Sequence, residues 1–205
     1  MKDERHIRAV IFDLGRVLVD IDVSKGIFAL FAERFSDNPE AVMQKLSADE
    51  LMNRYNAGQI PPEQFHKALC DKFGLRITFQ RFAQLWCDML SPVPGMGELL
   101  REISSRVCLG LLSDTDPLHW NYLVRKYDVL RCIENPTLSY QIGSVKPCAE
   151  SYLTAAKNVN TPPQACLYID DLAVNVKGAL AVGMDAVQFE GVIKLREELA
   201  ARGIL

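Results

Sequence analysis

Two segments of the sequence end an apolar run with aspartate and so offer carboxylates for chemistry. Asp13 follows Val-Ile-Phe and stands two residues before Gly15, and Asp170-Asp171 follow Leu-Tyr-Ile. An aspartate at the end of a buried strand, where a glycine lets the backbone turn, is placed to act as a nucleophile. An isolated Asp-Asp pair is typical of a turn or a helix cap, but this pair directly ends an apolar run.

Carboxylates gathered at one point need a cation. Two ionised carboxylates about 4 Å apart, at an effective dielectric constant of ~20, repel each other by about 4 kcal/mol. One lysine would not cancel this repulsion among Asp13, Asp170 and Asp171, whereas a divalent ion would. An all-oxygen ligand set suits Mg²⁺, which combines a few carboxylates with water and substrate phosphate. The sequence therefore predicts a Mg²⁺ site, provided that these three residues meet.

Lys146 and Ser113 are the other candidates for chemistry. Pro147 holds the backbone of Lys146 extended, and the ammonium group could neutralise Asp13 and contact a phosphoryl oxygen. Ser113 ends an apolar run over 107–112, where its hydroxyl and nearby amides could bind an anion. The simpler alternatives are an exposed surface lysine and a helix-capping serine. Neither G-x-S-x-G nor a Walker loop occurs, so a serine hydrolase and a P-loop nucleotide site are not indicated.

The elements that must position these residues alternate between strand and helix. Strands are predicted at 10–12, 107–112, 137–140, 165–169 and 186–189, with helices between them from residue 92 onward. This order is typical of an α/β fold with a doubly wound, mainly parallel, Rossmann-like sheet. Ligands bind such sheets beyond the carboxyl ends of the strands. We therefore expect Asp13, Ser113, Lys146 and Asp170-Asp171 to converge there.

A block of predicted helices interrupts this alternation. Residues 21–91 have helical spacing throughout, with Pro61-Pro62 beginning one helix and Ser47 with Glu50 resembling a capping box. Because one strand precedes this block and the others follow it, we expect an inserted α-helical cap (21–91) above a core formed by 1–20 and 92–205. Asn53, Arg54 and Tyr55 are candidates for contacting the substrate from this cap.

Composition limits the class of protein. The chain has 205 residues, of which 49% are apolar and 24% charged, and a net charge of −3. These values are typical of a soluble globular protein, and no basic stripe indicates nucleic-acid binding. The charged N-terminus and the lack of a long apolar stretch indicate neither a signal segment nor a membrane span. The six dispersed cysteines are expected to be mostly small packing residues in a cytoplasmic protein. The oligomeric state is left open.

Four segments in order resemble the motifs of the haloacid dehalogenase-like hydrolase superfamily. They are Phe-Asp13-Leu-Gly-Arg-Val-Leu, Leu-Leu-Ser113, Lys146-Pro and Tyr-Ile-Asp170-Asp171 with Asn175 four residues on. The likeness covers nearly the whole chain, including an insertion where many members carry a helical C1 cap. The detailed pattern is similar to sugar-phosphate phosphatases of the bacterial glucose-1-phosphate phosphatase type.

That resemblance implies a role for each residue. Asp13 would attack the phosphorus of a small phosphomonoester to form an aspartyl-phosphate. Mg²⁺ would be held by Asp13, the Gly15 carbonyl and Asp171, with Asp170 bound directly or through water. The phosphate-binding residues would be Ser113, Asp114 and Lys146. Asn175 would orient the Asp170-Asp171 segment.

Gly15 departs from the superfamily pattern. Phosphatases of this superfamily usually have an aspartate there as general acid, and losing such a proton donor typically costs ~10²–10⁴ in rate. One explanation is that a good leaving group needs no acid. Another is that Asp20, Asp22 or Asp116 replaces the missing acid, although each is also expected in a turn or a helix cap. The other interpretations are a metal-independent 2-haloacid dehalogenase, which leaves Asp170-Asp171 without a purpose, and a catalytically idle binding domain.

Overall fold

The computed structural model describes residues 6–35 and 38–205. It has a five-stranded sheet of order β5-β4-β1-β6-β7 and a separate two-stranded sheet of β2 and β3. The strands are β1 (Ala9–Phe12), β2 (Val19–Ile21), β3 (Leu90–Pro92), β4 (Cys108–Ser113), β5 (Thr137–Leu138), β6 (Cys166–Asp170) and β7 (Asp185–Gln188). All neighbours in the large sheet are parallel, which confirms the predicted α/β fold class.

The helices cover this sheet and fill the interval between β2 and β3. They are α1 (Gly26–Phe35), α2 (Pro39–Ser47), α3 (Glu50–Asn56), α4 (Pro62–Phe73), α5 (Phe79–Cys87), α6 (Met96–Ile103), α7 (Pro117–Lys126), α8 (Ser139–Ile142), α9 (Ala149–Asn158), α10 (Ala173–Ala181) and α11 (Val192–Ala201). Pro62 begins α4 and Gly74, at φ 62°, ends it, as expected from the rigid φ of proline and the left-handed freedom of glycine.

The central strand explains why the site forms at one edge of the sheet. β1 pairs with β4 on one side and with β6 on the other, so that Phe12 lies opposite Leu111 and Ile169. All four residues of β1 are fully buried, as expected for a parallel strand covered on both faces. The residues that follow β1, β4 and β6 therefore emerge side by side.

The expectation that residues 21–91 are wholly helical is wrong at both ends of the range. Ile21 pairs with Leu90 across the antiparallel strands β2 and β3. Each strand has three residues, too few for an alternating pattern to be recognised in the sequence. Between them the described chain is helical with connecting turns, and its role as an inserted cap remains a prediction.

Two local expectations need correction. The capping box of Ser47 and Glu50 is wrong, because Ser47 ends α2 and the side chain of Asp49 caps α3 by accepting a hydrogen bond from the Leu51 amide at 3.0 Å. The weak strand at 137–140 stops at Leu138, where α8 begins at once. In the first case a neighbouring residue, Asp49, caps the helix instead, and in the second a helix begins where the strand was expected to continue.

The cysteines are also less buried than expected. Cys87 and Cys166 are buried and Cys70 is partly buried, whereas the other three are exposed: Cys108, Cys132 and Cys148. Within the described residues, no helix combines the length and the apolar character that crossing a membrane requires. Residues 1–5, which carry the expectation that a signal segment is lacking, lie outside the described part of the chain.

Candidate active site

A buried ion-pair cluster lies at the carboxyl edge of the sheet. Lys146 Nζ is 2.7 Å from Asp13 Oδ1 and 2.8 Å from Asp170 Oδ2. Asp13 follows β1, Asp170 is the last residue of β6, and Lys146 comes from the loop before α9. Only 3% of the Lys146 side chain is exposed, so these charges interact with little screening by water.

Asp170 has its hydrogen-bonding capacity filled by protein donors. Its Oδ1 accepts hydrogen bonds from the Leu172 amide at 2.9 Å and from Asn175 Nδ2 at 3.0 Å. Its Oδ2 accepts from Lys146 and, at 2.5 Å, from the Tyr168 hydroxyl. A carboxylate held in this way is fixed in position and has little capacity left for a direct metal bond.

Tyr168 is a site residue that sequence reasoning missed, although a signal was present. It stands two residues before Asp170 in β6, and alternate residues of a strand share a face of the sheet. Its neighbours in β6, Leu167 and Ile169, belong to the packing on the opposite face. A tyrosine in this position could therefore be expected to reach the carboxylate.

The buried charges shift one another's pKa values. Burial raises the pKa of Asp13 to about 7, even though Lys146 opposes the rise. For Asp170, burial favours a higher pKa, but the charge and hydrogen bonds of Lys146 and the Tyr168 hydroxyl hold it below its usual value. For Lys146, burial favours a lower pKa, and the surrounding carboxylates raise it well above its usual value instead. The lysine is therefore firmly charged.

The carboxylates also fit a cation. Oxygen atoms from Asp13, Asp170 and Asp171 lie within 4.8 Å of one another. Burial and the charge of Asp170 raise the pKa of Asp171, so negative charge is in excess here despite Lys146. Asp171 is half-buried and, together with Asp13 and Gly15, lines the adjoining cavity. This hard oxygen set is the donor chemistry that Mg²⁺ takes.

Ser113 and Asp114 follow the same edge from β4. Ser113 is the last residue of β4 and is 2% exposed. Both carboxylate oxygens of Asp114 accept from the Lys146 amide, at 3.1 and 3.2 Å. Burial raises the pKa of Asp114. Asp114 lines the cavity, and Ser113 is not among the described residues that line it.

A cavity of about 850 Å³ opens onto the cluster. From the core it is lined by the predicted residues Asp13, Gly15, Asp114, Lys146, Asp171 and Asn175, and also by Arg16, Ile21 and Leu172. From α2 and the residue after it, it is lined by Glu40, Met43, Gln44, Ser47 and Ala48. This volume is sufficient for a phosphate with a sugar-sized group attached.

Residues of the first turn shape the cavity floor. Arg16 has φ 58°, a left-handed conformation that is uncommon outside glycine. Its amide donates to the Val19 carbonyl at 2.6 Å and closes the turn after Gly15. A Cβ added at Gly15 would come 3.3 Å from Ile21 Cδ1. The turn is therefore tight at the position where the resemblance leads us to expect a second acid.

The three candidate replacement acids are occupied elsewhere. The side chain of Asp20 accepts from the Ile21 amide, and Asp22 pairs with Ser24 and Lys25. Asp116 is buried and caps α7. In the described structure none of the three lines the cavity, so the alternative interpretation of each, as a capping or turn carboxylate, is the one observed.

The candidate cap residues at positions 53–55 are not at the cavity either. Tyr55 is fully buried, and its hydroxyl donates to Asp116 Oδ1 at 3.0 Å. The residues that α2 contributes were missed because their spacing resembles that of an ordinary exposed helix face. The remaining predicted site residue, Asn175, lies on α10 and is held from behind by the Tyr152 hydroxyl, which donates to its carbonyl at 2.9 Å.

Known proteins are similar to this chain in sequence. A model of the haloacid dehalogenase-like hydrolases matches residues 7–183. D-ribitol-5-phosphate phosphatase of Bacteroides thetaiotaomicron is 25% identical over 94% of this chain and 97% of its own. 6-Phosphogluconate phosphatase of Escherichia coli is 25% identical over 89% of this chain and 82% of its own.

Solved structures show the same fold. A haloacid dehalogenase family enzyme from Bacteroides thetaiotaomicron, in complex with magnesium and inorganic phosphate, has a TM-score of 0.78. It is 22% identical in sequence, and the likeness covers 90% of this chain and 95% of that one.

Proposed function

Because the chain belongs to the haloacid dehalogenase-like hydrolase family, we propose that it is a Mg²⁺-dependent phosphatase of small phosphorylated metabolites, of the sugar-phosphate type. The observation that carries this proposal is the Lys146 ammonium group held between Asp13 and Asp170, beside Asp171, at a cavity large enough for a sugar phosphate. The phosphatases among its relatives support the same reaction class.

Asp13 acts as the nucleophile in this proposal. Its carboxylate oxygen attacks phosphorus, the bond from phosphorus to the ester oxygen breaks, and the leaving oxygen takes a proton from solvent water to become the alcohol. A water molecule then attacks the phosphorus of the aspartyl-phosphate, the bond from phosphorus to the Asp13 oxygen breaks, and the water proton passes to solvent as inorganic phosphate leaves. One difficult displacement thus becomes two easier ones. Lys146 keeps Asp13 aimed, favours its ionised form and binds the phosphoryl oxygens. The contact of Ser113 with the phosphoryl group stays a prediction, because Ser113 is not among the described residues that line the cavity.

The remaining site residues hold these groups in place. Asp13, Asp171 and the Gly15 carbonyl would hold Mg²⁺, with Asp170 acting through water because its oxygens are already occupied by protein donors. The bound ion supplies charge that offsets the carboxylates and the phosphate. Asp114 anchors the Lys146 main chain beside the phosphate, and Asn175 orients Asp170.

The leaving group is expected to matter more than usual. Gly15 offers no proton, and the described cavity does not include Asp20, Asp22 or Asp116. We therefore expect the rate to rise with the acidity of the leaving alcohol, because little general-acid help is available. p-Nitrophenyl phosphate, whose leaving group is stable as an anion, is the suitable first substrate.

The test compares turnover of p-nitrophenyl phosphate with Mg²⁺ and with chelator. We expect metal-dependent turnover that Asp13→Asn abolishes. Asp128→Asn is the matched control, because its side chain is 83% exposed and its ion pair among the described residues is with Arg131. Turnover that survives Asp13→Asn would contradict the covalent mechanism. Chloride release from 2-chloropropionate in the presence of a metal chelator would instead identify a dehalogenase.

A further inference from the structure

One face of α2 lines the cavity that contains the carboxylate cluster. Four side chains at positions i, i+3, i+4 and i+7 share this face: Glu40, Met43, Gln44 and Ser47. The other side of α2 is anchored by Val42 and Leu46, which are buried. The helix is therefore fixed by packing on one side and presents a mainly polar surface to the ligand space on the other. We refer to these four residues as the α2 face.

The polar groups of the α2 face are available to a ligand. Glu40, Gln44 and Ser47 are exposed, and within residues 6–35 and 38–205 no protein group hydrogen-bonds to their side chains. The Glu40 carboxylate accepts hydrogen bonds, whereas the Gln44 amide and the Ser47 hydroxyl both donate and accept. A chain of neutral hydroxyl groups can satisfy all three, since each hydroxyl can donate and accept as well.

Glu40 also gives the α2 face a negative charge. It is the one charged side chain among the described residues that line the cavity from α1 to α5. The cations that line the cavity, Lys146 and Arg16, come from the core and not from α2. Lys146 is paired with Asp13 and Asp170, and Arg16 lies near enough to Asp171 for its charge to oppose the rise in the pKa of that carboxyl. A second anion on the substrate would therefore meet repulsion at α2.

We propose that the α2 face selects phosphate monoesters whose remaining part is an uncharged polyhydroxylated chain and disfavours those with a second anionic group. The inference rests on the proposed phosphatase function and deepens it by naming the substrate class and Glu40 as the residue that sets it. The phosphate end of the cavity is common to both kinds of ester, so the discrimination arises at α2.

Two esters that differ in a single terminal group test this directly. Glucitol 6-phosphate ends in a neutral hydroxymethyl group, and gluconate 6-phosphate ends in a carboxylate, with the same carbon chain and phosphate position. We expect the wild-type protein to have the higher kcat/KM for the glucitol ester. The quantity compared is kcat/KM for the glucitol ester divided by kcat/KM for the gluconate ester. This ratio does not depend on the amount of active enzyme.

Three variants locate the effect. Glu40→Gln removes the charge and should lower the ratio about fivefold, the size expected for a like-charge contact at ~4 Å in a water-filled cavity. Gln44→Glu adds a carboxylate on the same face and should raise the ratio. Glu63→Gln is the matched control, since Glu63 also follows a proline at the first position of its helix but does not line the cavity. Its ratio should equal that of the wild type.

The outcomes separate this inference from the function on which it rests. A wild-type preference for the gluconate ester, an unchanged ratio in Glu40→Gln, or an equal change in Glu63→Gln would overturn the selection by α2 while leaving the phosphatase function in place. Absence of Mg²⁺-dependent turnover of both esters and of p-nitrophenyl phosphate would overturn the function, and the inference with it.

Discussion

Two buried aspartates, Asp170 and Asp116, show how differently the same side chain can be used in one molecule. Asp170 has no exposed surface and Asp116 is 1% exposed. Asp170 lies among other carboxylates and shares Lys146 with Asp13. Asp116 lies at the start of α7, away from the cavity. Burial alone therefore does not separate a reactive carboxylate from a structural one.

The partners of Asp116 join three helices. Its Oδ1 accepts from the Tyr55 hydroxyl of α3 at 3.0 Å and from the first amides of α7. Its Oδ2 accepts from Trp86 Nε1 of α5 at 2.9 Å and lies 3.0 Å from His119 Nδ1. These donors satisfy the carboxylate within the protein. Around Asp170, by contrast, the three carboxylates of Asp13, Asp170 and Asp171 share one lysine, and the remaining negative charge favours binding of a cation.

The largest effect that this comparison predicts is on activity. Asp170→Asn keeps the shape of the side chain but removes the charge that pairs with Lys146, and the new amide would face the donors on Oδ2. We expect a loss of ~10²–10³ in kcat, as when one electrostatic group of an active site is removed. The free energy of unfolding should fall by about 2 kcal/mol, because the contacts of Lys146 and Tyr168 with Oδ2 are weakened while the repulsion from Asp13 and Asp171 is relieved.

Turnover of p-nitrophenyl phosphate and chemical denaturation of the same preparation measure both quantities. Asp128→Asn serves again as the exposed control. A variant that loses several kcal/mol of stability but keeps its kcat would reverse the roles assigned to the two aspartates.

Asp116→Asn should show the opposite pattern. The amide nitrogen of asparagine would face either Trp86 Nε1 or the Tyr55 hydroxyl, both of which are donors, and an anchored charge is lost. We expect the free energy of unfolding to fall by about 3 kcal/mol, in the range for breaking a buried charged network. The kcat of the folded fraction should fall less than threefold. Denaturant unfolding measures the stability, and kcat is measured at denaturant concentrations well below the unfolding midpoint. A large loss of kcat with unchanged stability would contradict the structural role of Asp116.

Metal binding should separate the two regions as well. Mg²⁺ at 100 times its dissociation constant stabilises a protein by about 2.7 kcal/mol if it binds only the folded state. We expect Mg²⁺ to raise the melting temperature of the wild type and of Asp116→Asn, and not that of Asp171→Asn. Thermal unfolding with and without Mg²⁺ measures the shift, and NaCl at the same ionic strength controls for general ionic effects.

Much of the site could be predicted because strand ends are readable from sequence. Asp13, Ser113 and Asp170 each end an apolar run, and parallel strands bring their carboxyl ends to one edge. Lys146 was also predicted at this edge, and it contacts Asp13 and Asp170. The order of the segments along the chain was thus enough to place them at one edge.

The residues that sequence reasoning missed depend on tertiary packing. Glu40, Gln44 and Ser47 resemble any exposed helical face until the position of α2 over the sheet is known. Asp116 resembles a possible acid because the local sequence cannot show that Tyr55 and Trp86, far away in the chain, occupy its oxygens. Helix faces and long-range hydrogen bonds carry no local signal comparable to a strand end.

The smallest expected effects come from two tyrosine hydroxyls, each of which donates to one of the two aspartates. Tyr168→Phe removes the donor to Asp170 and Tyr55→Phe removes the donor to Asp116. Each should lower the free energy of unfolding by about 1 kcal/mol, the usual value of one buried hydrogen bond.

Only Tyr168→Phe should also lower kcat, by ~10-fold, with KM nearly unchanged, because Asp170 positions Lys146. Tyr127→Phe, which loses a bond to the Leu90 carbonyl, controls for removing a partly buried hydroxyl away from the cavity. Equal kcat values for Tyr168→Phe and Tyr55→Phe would show that Asp170 needs no help from its hydroxyl partner.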